Sequence, residues 1–137
     1  ALHDDSNTKP GWLQETVSSY VSVLNGCDYS FANHWKNAAH LIGDPARAAR
    51  IETALREMRP ETVFEGKELA LLRYAHKLTI TPSDMAESDV SALRKAGFDD
   101  GAILEANQII CYFNYVNRSI NGLGVTTEGD VIGYYAD

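Results

Sequence analysis

The sequence predicts an all-α protein, an oligomeric bundle of roughly six helices forming one domain over residues 1–137. Three observations carry this. Apolar residues recur at the spacing of one helix face along most of the chain. Glycine, proline and Asp-Pro steps punctuate the segments between those stripes. No stretch alternates apolar and polar residues as a half-buried strand does.

Leu13, Val17, Tyr20, Val21 and Leu24 form the first stripe, and Asn25-Gly26 supplies a stop that tolerates a left-handed residue. Phe31, Trp35, Ala38, Ala39 and Ile42 form a second, ended by Gly43. Asp44-Pro45 reads as an N-cap followed by proline at the first helical position. It opens a helix carrying Ala48, Ile51, Leu55 and Met58, which Pro60 closes. Leu69, Leu72 and Ala75 mark the next helix, with Leu71 and Leu78 beside the stripe. Thr81 to Asp84 is a turn, and a short helix with Val90 and Leu93 ends at Gly97. The last helix starts at Asp99 or Asp100 and runs to Asn121. Its middle, "IICYFNYV", is apolar nearly all round, which places it at the centre of the fold or between subunits. A tail with Val131, Ile132, Tyr134 and Tyr135 is expected to dock on the surface.

The formal charge of −7 argues against a nucleic-acid or anionic-membrane surface. Arg47, Arg50, Arg56 and Arg59 are interleaved with Glu52, Glu57 and Glu61, the pattern of a solvated helix face. No apolar run reaches the ~20 residues of a membrane span. The polar lead "ALHDDSNTKP" lacks the apolar core of a signal peptide. From the start at Ala1 rather than Met, a processed or trimmed chain is expected. Two distant cysteines make no disulfide framework, so a reducing cytoplasm is expected.

The chemistry concentrates in "NGCDYSFANHW", Asn25 to Trp35. Cys27, Ser30 and His34 fall within roughly a 60° arc of one helix face. Cys27 sits at a helix start, where unpaired N–H groups favour a thiolate, so a depressed thiol pKa is expected. The plain alternative is a cysteine used as a small buried apolar residue. Glu15 lies on the preceding helix, and a reversal at Asn25-Gly26 brings it within a turn of His34. A carboxylate there would orient the imidazole as the third member of a nucleophile–base–orienter set. By helical rotation Glu15 shares a face with Ser18, Ser19 and Ser22. That face is either solvated or packed closely on another helix or subunit.

Glu15 followed by "CDYSFANH" resembles the alkyl hydroperoxidase D-like branch of the carboxymuconolactone decarboxylase superfamily, whose pattern is a glutamate and then C-x-x-C-x-x-x-H. "LLRYAHKLT", "DVSALRKAGFDDGAILEA" and "YFNYVNRSINGLGV" are similar to its peroxidase-related subgroup, so the resemblance runs from about Trp12 to Val125. It implies an all-helical oligomer and a thiol centre that reduces peroxides or exchanges disulfides. It also implies a proton relay of glutamate and histidine. Glu15 matches the family glutamate, Cys27 the first cysteine and His34 the histidine. Ser30 stands where the family has its second cysteine, and a serine cannot form a disulfide. A two-thiol cycle is therefore closed to this motif, and recycling would need an external thiol reductant.

Cys111 lies mid-helix among apolar residues and is expected to be buried and unreactive. His40 does not project with His34, His76 is on another helix, and His3 is in the polar lead. No metal-ligand spacing appears, and neither a metal nor a cofactor is expected. Three readings follow. The first is a thiol oxidoreductase acting on a hydroperoxide through Cys27, His34 and Glu15, with Ser30 at most a hydrogen-bond donor. The second is an acid–base enzyme of the decarboxylase branch that needs no sulfur. The third is a silent oligomeric relative.

Overall fold

A computed structural model describes residues 10–128, and the expected tail at 131–135 and His3 lie outside them. Six α-helices follow one another: α1 Gly11–Leu24, α2 Asp28–Ile42, α3 Pro45–Arg56, α4 Gly66–Ile80, α5 Glu87–Lys95 and α6 Asp100–Leu123. Short 3-10 turns at Pro60–Thr62 and Pro82–Asp84 link α3 to α4 and α4 to α5. No strand occurs among the described residues.

Local chemistry sets the ends. Gly43 and Gly124 adopt the left-handed conformation that stops α2 and α6. The Asp44 carboxylate accepts from Arg47 N–H at 3.1 Å, with Pro45 in the first turn of α3, and Asp99 caps α6 through Ala102 N–H at 2.8 Å. The helix α3 ends at Arg56, two residues short of the Met58 that its apolar spacing suggests. Met58 is exposed and left-handed at φ 56°, outside the stripe of Ala48, Ile51 and Leu55. Arg59 N–H bonds Ala54 C=O across it, the closure usually built on glycine.

The central helix is α1, not the apolar α6. Every residue from Leu13 to Ser22 is buried, and α1 contacts α2, α3, α4 and α6. Its polar face can be buried because it satisfies itself. Thr16, Ser18, Ser19 and Ser22 each donate their hydroxyls to the carbonyl four residues back, at 2.7–2.8 Å. Small side chains on that face let α2 approach closely, and the α1–α2 contact is the most extensive in the fold. By contrast α6 is apolar on both sides but buries one. Ile109, Ile110 and Phe113 enter the core, whereas Tyr112 and Tyr115 are exposed.

Candidate functional site

The helices α1 and α2 reverse at Asn25-Gly26, with Gly26 at φ 61° where only glycine is unstrained. Ser22 meets Ser30 near the turn and Glu15 meets His34 farther out, as an antiparallel hairpin requires. His34 Nδ1–H donates to Glu15 Oε2 at 2.7 Å. The Glu15 side chain is 2% exposed and that of His34 16%. Glu15 is therefore no solvated glutamate; the serine-lined face of α1 packs against α2. The Nδ1 bond leaves Nε2 of a neutral ring as a free base. Phe113 closes on the ring edge-to-face, with centroids 4.8 Å apart.

Cys27 is the residue that caps α2, 1% exposed. The expected depression of its thiol pKa does not occur. Burial pushes the thiol up, and the charge of Asp28 adds to this. The backbone N–H of Ser30 pulls the other way without prevailing. Desolvation thus outweighs the helix-start effect. Cys111 departs from expectation in the opposite sense: it is exposed, with its sulfur 3.8 Å from Asn107 Oδ1. It falls on the outward side of α6, four residues after Asn107 and away from Ile110 and Phe113.

Ser30 is buried, and its hydroxyl is engaged by Ser22 at 2.9 Å rather than by His34. Around it lies a polar cluster that reading the sequence missed. Asn25 Nδ2 donates to Asn114 Oδ1 at 3.0 Å and to Asn117 Oδ1 at 3.1 Å, while Asn117 Nδ2 reaches Ser22 Oγ at 3.4 Å. Asn121 Nδ2 donates to the Asn25 carbonyl at 3.1 Å. The helix α6 thereby holds the turn that carries Cys27. The signal was present in "NYVNRSIN", where asparagines recur at helical spacing. No group of three or more metal-ligating side chains gathers among the described residues.

Comparison with solved structures decides the fold. An uncharacterized peroxidase-related protein from Silicibacter sp. TM1040 superposes with a TM-score of 0.81 at 23% identity, covering 91% of this chain and 63% of the other. The fold is the alkyl hydroperoxidase D-like one. A second structure has the same architecture, the alkylhydroperoxidase AhpD core of an uncharacterized peroxidase-related protein from Ralstonia eutropha JMP134. It matches with a TM-score of 0.71 at 24% identity over 87% of this chain and 60% of that one. The present chain thus spans under two thirds of the length of either AhpD-like structure. No protein-family profile and no curated protein matches it. No helix among the described residues is long and apolar enough to cross a membrane.

Proposed function

We propose that this chain is a peroxidase-related thiol oxidoreductase of the alkyl hydroperoxidase D-like family, working with one cysteine. The observation that supports it most is the buried Glu15–His34 pair on the hairpin whose turn carries Cys27. A thiol pushed up by burial needs a base, and His34, held by Glu15, is one. Two helical turns, about 10 Å of rise, separate Cys27 from His34, so the proton passes through a water or the substrate oxygen.

In this reading the proton leaves Cys27 for His34 Nε2 as the sulfur attacks one peroxide oxygen. The O–O bond breaks and Cys27 becomes a sulfenic acid. The departing alkoxide takes the proton from His34 and leaves as an alcohol. An external thiol then condenses with the sulfenic acid, releasing water and leaving a mixed disulfide. A second external thiol attacks that bond, freeing the Cys27 thiol and carrying away the disulfide of the two reductants. Burial of Cys27 restricts the oxidant to a small hydroperoxide admitted by local opening of the α1–α2 turn. We assign the protein to the cytoplasm on its cysteine usage. We also infer a homo-oligomer, since Tyr112, Tyr115 and Leu123 leave apolar surface exposed on α6.

The test is consumption of hydrogen peroxide and, more slowly, of the bulkier cumene hydroperoxide, with dithiothreitol as reductant. Activity should vanish in Cys27→Ser and persist in Cys111→Ser. One observation favours a second reading: a serine replaces the second thiol and burial pushes the Cys27 thiol up, which suits acid–base chemistry through His34 and Glu15 alone. Turnover of a lactone or keto acid that survives complete thiol alkylation would establish that reading instead.

A further inference from the structure

A second constellation lies away from Cys27, where α1, the Pro60–Thr62 turn and α4 meet. Tyr20 OH and His76 Nδ1 are 2.8 Å apart, and both residues line a cleft of about 210 Å³. Its walls are Met58 and Pro60, and Glu61, Arg73 and Lys77 stand around it. The volume suits a molecule of roughly seven to ten heavy atoms.

The polar groups are set in a definite sense. Burial, with the charge of Glu61 added, pushes Tyr20 up to about 12, so its hydroxyl keeps its proton. Among the described residues that proton has no acceptor but His76 Nδ1, which leaves the hydrogen of the neutral ring on Nε2. Protonation of His76 does not remove it. His76 thus offers an N–H donor with no partner among the described residues.

The charges are separated. Lys77 is engaged by both Asp89 oxygens, at 2.9 and 3.1 Å. Arg73 and Glu61 line the same cleft, yet neither has an ion-pair partner among the described residues, and they do not bridge each other. The apolar wall also has an unusual backbone. Met58 holds a left-handed backbone that glycine adopts without strain.

We propose that this cleft binds a small zwitterion, an α-amino acid with an apolar side chain. The carboxylate lies between Arg73 and the His76 N–H, the ammonium faces Glu61, and the side chain rests on Met58 and Pro60. This site is separate from Cys27 and does not depend on its chemistry.

L-Leucine is the probe, followed by calorimetry and by the His76 ring resonances. Expected is a Kd of about 1 mM or tighter, with the His76 signals shifting on binding. Removing either ligand charge, with 4-methylpentanoate or 3-methylbutylamine, should weaken binding at least about tenfold. Arg73→Gln and Glu61→Gln, surface changes that leave the fold intact, should each do the same, whereas Cys27→Ser should leave leucine binding as it is. The proposal is overturned by no heat and no shift at about 10 mM leucine. It is equally overturned if either singly charged analogue binds within tenfold of leucine, or if either substitution weakens binding less than that.

Discussion

His34 Nδ1 and Glu15 Oε2 lie 2.7 Å apart, and this contact ties α1 to α2 at a point where the carboxyl is 2% exposed. Glu15→Gln keeps an acceptor in place and removes the charge, so the fold should hold while peroxide reduction falls about tenfold. His34→Ala removes the base itself and should cost about 10²-fold or more. Glu15→Leu leaves the ring without its buried partner and should destabilise the protein by about 1–3 kcal/mol. Urea denaturation beside steady-state rates separates the two effects.

The two cysteines should differ in the order opposite to their helix positions. Exposed Cys111 should be alkylated first by iodoacetamide in native protein, and Cys27 only at pH above the ordinary thiol value of about 8.5. Because the folded state raises the Cys27 pKa, this group's stabilising contribution is complete below the unfolded value and is lost as pH rises through the folded one. The stability of the protein relative to Cys27→Ser should therefore decline above about pH 8.5. A flat difference from pH 7 to 10 would refute this.

Ser30 is at home in its cluster, bonded to Ser22, which Asn117 also reaches. A thiol hydrogen-bonds more weakly, so Ser30→Cys should cost about 1 kcal/mol in the reduced state. On exposure to peroxide the new thiol should form a disulfide with Cys27 and raise peroxide reduction. Non-reducing peptide mapping reads the bond, and an unchanged pair of free thiols would count against the placement.

Met58 occupies a left-handed position that closes α3. Without ligand, Met58→Gly should stabilise the protein by about 0.5–1 kcal/mol, or roughly 2–4 °C in Tm. A lower Tm would show that the side chain's own packing exceeds the backbone strain.

Helices and their stops were legible because punctuation and period are local: Gly43, Asp44-Pro45 and Asp99 each act within one turn. The meeting of Glu15 with His34 was legible too, since a hairpin pairs residues symmetrically about its turn. Burial was harder to read. The serine face of α1 gives no hydrophobic signal, yet it is interior because each hydroxyl bonds its own helix. The same gap left the depth of Cys27 open and misplaced Cys111, since their exposures depend on how helices distant in sequence lie on one another. The clamp of Asn25 by Asn114, Asn117 and Asn121 joins the α1–α2 turn to α6, a pairing across the sequence that no local pattern reveals.

The central claim is that His34 and Glu15 drive oxidation at Cys27. Protein treated with one equivalent of hydrogen peroxide and quenched with dimedone, in a time course read by peptide mass spectrometry, tests it directly. The account predicts a dimedone adduct on the Cys27 peptide that forms at least about tenfold more slowly in His34→Ala. An adduct confined to Cys111, or one at Cys27 that forms equally fast without His34, would contradict it.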